Sequence, residues 1–343
     1  MKQILILAAA AMVVAAGAQP SNDGVAITSK YPGALIAAQS NYTGFGDNFS
    51  ELNTLWGFRT LSTLYLGVAG NLEGNFNNLH IYIDSIPGGG NPFFLNQGCL
   101  NCSVVGMSGV VWDSGFTPDY VLSISHGGGV YYVDLIDITT DTSCYQGEGY
   151  TDSFSGLLFG GSDCATSGLL VAFNNTNSMG ITSDSNNLGD PFTCSTGFDI
   201  QIPISAIAAT GPIKAAALIT GGANLGDLCG SNSLPLGTYV SNQMLPAMNS
   251  GNPGSHYNNL AWSHCPDALG GANGIEFTQA TGDQCADVVW LGDVNGDWCV
   301  DDADLAIVLE NFGTDDEQAD VNGDGIVDDT DLAIVLSSFG VGC

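Results

Sequence analysis

Between about Asn22 and Phe277, short apolar runs break a chain that is otherwise rich in Gly, Ser, Thr and Asn. The runs are TLYLGVAG, LHIYIDSI, VVGMSGVVW, YVLSISH, VYYVDLIDI, GLLVAF, FDIQIPI and IKAAALIT. Several alternate with period two, as Leu79, Ile81 and Ile83 do against His80, Tyr82 and Asp84. That alternation is the pattern of a strand with one dry face, and turn-prone clusters separate the runs. Eight or more such strands predict one β-sandwich domain over residues 22–277, not a string of small ones. Only PISAIAA and FSELNTLWG read as short helices. Residues 278–289 then read as a linker.

From residue 290 the period changes. Leu305, Val308, Leu309 and Phe312 recur at i, i+3, i+4 and i+7, and so do Leu332, Val335, Leu336 and Phe339. Each set makes one apolar stripe on a helix, with Gly313 and Gly340 standing just past the ends as stop signals. Neither helix can bury its stripe alone, so the two are expected to pack on each other. The fold class predicted is mainly β: an N-terminal β-sandwich followed by a small all-α module of two duplicated loop-helix units over 290–343.

Charge sharpens the reading of this tail. From Asp287 to Cys343 there are 15 of the chain's 35 acidic residues and no Lys or Arg. The acids follow a repeated phrase, DVNGDWCVDDADLAIVLENFG from Asp293 and DVNGDGIVDDTDLAIVLSSFG from Asp320. Counting each opening Asp as position 1, side-chain oxygens fall at 1, 3, 5, 9 and 12. These are Asp293, Asn295, Asp297, Asp301 and Asp304, then Asp320, Asn322, Asp324, Asp328 and Asp331. A twelve-residue loop that folds round calcium offers those positions plus the carbonyl of position 7, here Cys299 and Ile326. Two calcium ions are therefore expected, one per loop. Position 6 favours glycine, which tolerates positive φ. Gly325 meets that need, whereas Trp298 departs from it, so the first site is expected to be the weaker. Clustered carboxylates repel without metal, so folding and calcium binding should be coupled.

On these residues the tail resembles a type I dockerin over about 290–341. The resemblance implies a cohesin domain as partner, contacted near loop positions 10 and 11 and along the following helix. Those positions are Asp302 and Ala303 in the first copy and Asp329 and Thr330 in the second. The best-known dockerins often carry a Ser-Thr pair there, so the acidic residue at position 10 departs from the family pattern.

The large domain is less explicit. LYLGVAGNLEGNFNNLHIYIDS (Leu64 to Ser85) and GFDIQIPISAI (Gly197 to Ile207) resemble strands of family-9-like carbohydrate-binding and DOMON-like sandwiches. That resemblance implies a non-catalytic fold that stacks sugar faces on aromatic rings, for which Trp56, Phe58, Trp112, Tyr132 and Trp262 are candidates. The alternative for each ring is core packing. A dockerin-bearing glycoside hydrolase or polysaccharide lyase is the competing function class, and a structural surface protein a third. No motif presents a carboxylate pair together, and SHGGGV lacks the G-x-S-x-G elbow that would make it an oxyanion loop. It reads instead as a hairpin turn between YVLSIS and VYYVDL.

Residues 1–18 have the layout of a signal peptide, one lysine before an apolar run with an A-x-A-like end, so the chain is expected to be secreted. No later segment reaches membrane length. Beyond that leader the only Lys and Arg are Lys30, Arg59 and Lys214, which excludes nucleic-acid binding through phosphate contacts. Ten cysteines in an exported chain predict disulfides, mostly between sequential partners, with Cys99-x-x-Cys102 a crosslink and Cys299 clasping Cys343.

Overall fold

A computed structural model describes residues 20–31, 34–91, 95, 104, 107, 112, 114–150, 158–220, 239–247, 257–259 and 285–343. Residues 1–18, read above as a signal peptide, Trp262, and the cysteines at 99, 102, 229 and 265 lie outside these residues.

Most of the predicted runs are strands: β1 (Leu35–Ala38), β2 (Glu51–Arg59), β3 (Thr63–Asn71), β4 (Asn75–Asp84), β5 (Tyr120–Gly127), β6 (Val130–Asp137), β7 (Thr142–Tyr150), β8 (Leu170–Phe173), β9 (Gly197–Pro203), β10 (Ile213–Thr220), β11 (Tyr239–Leu245), β12 (Tyr257–Asn259) and β13 (Ala286–Trp290). Among the described residues three α-helices accompany them, α1 (Ile27–Lys30), α2 (Asp302–Glu310) and α3 (Asp329–Ser337). The run VVGMSGVVW falls mostly outside the described residues.

The strands form one curled sheet, not two separate ones, in the order β7-β6-β5-β4-β10-β13-β2-β3-β9-β8, with β1 on β2 and β11 between β10 and β12. Its halves face each other over a shared core: Leu55, Leu66 and Val68 from one half join Ile81, Leu122, Ile124 and Val133 from the other. The seam between the halves is β13, antiparallel to β10 and parallel to β2. A sandwich of this size would leave strand edges open at the seam, and β13 fills that gap. Part of the expected linker, residues 286–289, is thus strand.

The central strands β2, β3 and β5 are buried on both sides, which the alternation in the sequence did not foretell. Tyr82 and Val121 on one outer face pack with Trp112 and Phe116 from the segment before β5. On the other, Tyr65, Trp56 and Phe58 lie under Ile27, Tyr31 and Ala34 of the N-terminal segment. That segment is pinned by Lys30, whose ammonium meets Asp199 at 2.5 Å and Asp23 at 2.6 Å.

Two helix expectations fail. FSELNTLWG yields β2, all nine of whose residues are buried; its Thr, Trp and Phe suit a strand held between two neighbours, and that setting overrides the local pattern. PISAIAA gives only a short 3₁₀ turn over Ile204–Ala206. The SHGGGV turn is a two-residue hairpin loop between β5 and β6. Gly128 and Gly129 both adopt positive φ, 63° and 79°, as a tight hairpin matched to strand twist requires.

Candidate calcium and partner-docking module

Each acidic loop is wound round its own first and last carboxylates. In the first, Asp293 Oδ1 accepts from the amides of Gly296 (2.9 Å) and Asp297 (3.1 Å), and Oδ2 accepts from Trp298 (2.9 Å). Asp304 is wholly buried, and its oxygens accept from the amides of Val294 (2.7 Å), Asn295 (3.0 Å) and Asp301 (2.8 Å). The second loop repeats the design: Asp320 takes Gly323 and Gly325, both at 2.8 Å, and buried Asp331 takes Asn322 (2.9 Å) and Asp328 (2.8 Å). Asp301 and Asp328 cap α2 and α3, completing capping boxes with Asp304 and Asp331. The same carboxylates that are spaced as metal ligands therefore also start the helices.

The donor chemistry fits a hard cation. Among the described residues no group of three His, Cys, Asp or Glu side chains makes a metal cluster by itself; Asn295, Asn322 and the position-7 carbonyls stand between the carboxylates, giving an all-oxygen set of the kind calcium takes. A carboxylate that accepts amide bonds on some lone pairs keeps others for metal. Burial raises the Asp293 carboxyl above its usual range, and the amide bonds of Trp298 and Gly296 pull against this. The ion pairs among the described residues both belong to Lys30, so none of these buried acids has an ion-pair partner among the described residues.

Position 6 behaves as its residues require. Gly325 has φ 92° and Trp298 is held at φ 76°, a left-handed conformation that strains a side chain by about 1 kcal/mol.

The two repeats are interlocked crosswise. Val300 of the first loop pairs with the segment after α3, Gly340 N–H donating to Val300 O (2.7 Å) and Val300 N–H to Val341 O (3.0 Å). Val327 of the second loop pairs in the same way with the segment after α2, through Gly313 (2.8 Å) and Thr314 (2.9 Å). The Cys299–Cys343 disulfide fastens the first of these clasps, and Cys144–Cys164 forms in the large domain. Both join sequential cysteines; Cys194 is buried and unbridged, its thiol pushed up by burial.

The clasps correct the predicted stripe. Val308 and Val335 are buried, but their companions in the core are Val300, Val327 and Ala319 from the loops. Leu309, Phe312, Leu336 and Phe339 remain 46–53 % exposed. Nine-residue helices are too short to cover both rows of their stripes, so loop valines fill the centre and the outer row faces water.

Asp302, Ala303, Asp329 and Thr330 all lie exposed in the first turns of α2 and α3. Of the aromatic candidates for sugar stacking, Trp112 is fully buried and Trp56 only 8 % exposed, with its indole N–H donated to Thr54. Phe58 stacks on Tyr65 at 5.0 Å. These rings are core. Tyr132 is half-buried opposite Glu148 in the β6–β7 register. The structure adds two tyrosines that sequence reasoning missed: the hydroxyls of Tyr150 (2.8 Å) and Tyr145 (3.4 Å) both donate to Glu148. Burial, then Glu148, pushes the Tyr145 phenol up to about 12. A bulge between Val133 and Asp134 shifts the pairing that brings Tyr145 beside Asp134, and no simple alternation would reveal it.

With this geometry in view, residues 291–339 match the family model of the dockerin type I domain. The C-terminal module is a type I dockerin, a calcium-binding domain whose partner is a cohesin. Searches of curated proteins and of solved structures returned no match. Among the described residues no helix is long and apolar enough to cross a membrane.

Proposed function

We propose that this is a secreted protein whose β domain is non-catalytic, binding carbohydrate or serving a structural role, and whose dockerin, loaded with one calcium ion in each loop, anchors it to a cohesin on a scaffold or cell surface. The observation that carries the anchoring half is the pair of matching carboxylate-wound loops inside the region that fits the dockerin family. For the β domain, two Glu residues support binding or architecture over catalysis. Glu51 is sealed in the sheet and hydrogen-bonded by Asn177 at 2.6 Å, and Glu148 orients two tyrosines on an outer strand pair. Tyrosine rings beside a carboxylate suit a neutral glycan, since the ring stacks on a sugar face and the carboxylate accepts its hydroxyls. A surface with formal net charge −31 repels an anionic one.

Two measurements test the reading. Titration of the purified chain with recombinant type I cohesins should show binding that a chelator abolishes; calcium-independent binding would refute the metal-loaded dockerin. Incubation with a polysaccharide panel should show retention without products. New reducing ends, or unsaturated ends from lyase cleavage, would replace the non-catalytic reading with that of a degradative enzyme.

A further inference from the structure

A cleft of about 450 Å³ lies where the β domain meets the dockerin. We propose that it binds a small molecule carrying one carboxylate on a flat apolar ring, with Arg59 as the group that receives the carboxylate. This stands apart from the cohesin and glycan readings above and holds or fails without them.

The junction that builds the cleft leaves no free linker. Strand β13 ends at Trp290, and Asp293 is already the first residue of a calcium loop. Leu291 N–H donates to Arg59 O at 3.0 Å, and the Arg59 guanidinium lies 4.0 Å over the Trp290 ring. Trp290 in turn packs against the small dockerin core. Beside this stack the cleft is lined by Phe58, Leu61 and Tyr65 of the β domain and by Val321, Ile334 and Val341 of the dockerin. Thr60, Ser62 and Ser337 add hydroxyls. Apolar walls with a few polar groups, at a domain junction and in this range of volume, are the usual make-up of a small-molecule site.

Arg59 supplies the second observation. It is only 5 % exposed, and its guanidinium makes one hydrogen bond among the described residues, from Nη1 to Gly211 O at 2.5 Å. Nε is buried and donates to nothing. Both ion pairs among the described residues belong to Lys30, so no carboxylate there neutralises the guanidinium. Burial alone moves the Arg59 pKa, downwards, with no neighbouring acid pulling the other way. A buried charge is costly unless it is paired, and the indole face offsets only part of that cost. Lys30 also lines the cleft, but its ammonium is already taken by Ser21 O, Asp23 and Asp199. Arg59 is therefore the cation there with donors to spare.

A carboxylate answers both deficits. It supplies the counter-charge, and it accepts in the planar two-bond geometry that a guanidinium edge offers. A formal net charge of −31, with Asp324 in the lining, disfavours a ligand with more than one negative group. The apolar walls select the body, a ring that packs flat against other rings.

The test is calorimetric titration of the purified chain, in calcium, with benzoate, benzyl alcohol and glucuronate. Benzoate should bind one to one, and benzyl alcohol, which keeps the ring and lacks the charge, about tenfold more weakly, the worth of a hydrogen bond to a charged group. Arg59→Gln should weaken benzoate by a similar factor and leave benzyl alcohol unchanged. Because that substitution alters a buried residue, Ser62→Trp gives a second arm: the position is exposed on the β2–β3 turn, and the indole should fill the cleft and abolish benzoate binding with the melting temperature unchanged. Absence of benzoate binding, equal binding of benzoate and benzyl alcohol, or benzoate binding that survives either variant would overturn the proposal and leave Arg59 a purely structural clamp on Trp290. Glucuronate binding tighter than benzoate would overturn the apolar-ring class in favour of a sugar acid.

Discussion

Replacing Asp304 by Ala tests whether the crosswise clasps make the two repeats one folding unit. The substitution removes a fully buried carboxylate that accepts three backbone amides, at 2.7, 2.8 and 3.0 Å. Each buried donor left without a partner costs about 1–3 kcal/mol, so the three together lose about 3–9 kcal/mol before any lost metal ligation. A module of roughly 50 residues has only about 5 kcal/mol of stability at a typical 0.1 kcal/mol per residue. The variant should therefore lack a folded dockerin. Because Val327 is clasped by Gly313 and Thr314 of the first repeat, α3 should melt along with α2. Far-UV circular dichroism and calorimetry of the purified chain would check this: the dockerin transition should vanish entirely while the β-domain transition remains. Retention of about half the helical signal, or of one calcium site with its original affinity, would refute the interlock.

Glu51 and His80 supply opposed pH dependences. Burial raises Glu51 from 4.5 to about 7, so the folded state holds a proton that the unfolded state has lost, and stability falls as pH rises from 4.5 to 7 by about 3 kcal/mol. Burial lowers His80 from 6.5 to about 3, so its contribution is lost as pH falls through that range. The two nearly cancel between pH 4.5 and 6.5, and Glu51→Gln should unmask the histidine: denaturant titrations should show the variant's stability relative to the native chain rising by about 3 kcal/mol from pH 4.5 to 7.5, and a constant difference would refute a buried protonated Glu51. Changing Cys299 and Cys343 together to Ser opens a loop of sequence separation 44 and should destabilise the dockerin by about 4 kcal/mol on chain-entropy grounds; an unchanged melting temperature would show that the clasp holds without it. Trp298→Gly relieves a residue at φ 76° and should tighten the first calcium site about fivefold in a calcium titration; weaker binding would mean that contacts of the indole outweigh its strain.

The dockerin was legible because its chemistry is local. Ligand spacing, the glycine at 325 and its absence at 298 sit within twelve-residue windows, and the structure follows them. What the windows hid was the partner of each loop: Val300 meets Val341 forty-one residues later in the chain, so no local pattern exposes the clasp or predicts that Leu309 and Phe312 stay wet. In the β domain, strand periodicity located most of the strands but misread their surroundings. Tyr82 sits where alternation places a wet face, yet the segment carrying Trp112 covers it, and the same covering turned Trp112 from a candidate sugar platform into core. FSELNTLWG failed for a related reason: a strand buried on both faces shows no alternation and is easily taken for a helix. Glu148 and its tyrosines became visible only through a bulged register.

The last strand of the β domain lies in the middle of its sheet, and this decides how the molecule bears tension. A pull on a cohesin-held dockerin enters the β domain at Leu291 and runs along β13. There it meets antiparallel β10 on one side and parallel β2 on the other. Load along a strand flanked on both sides acts on its hydrogen bonds in shear, here three residue pairs with β10 and two with β2 together, whereas load at a sheet edge peels them one by one. The anchor is thus fastened to the seam that holds the sheet closed, with Trp290 under Arg59 as the first point to take the strain.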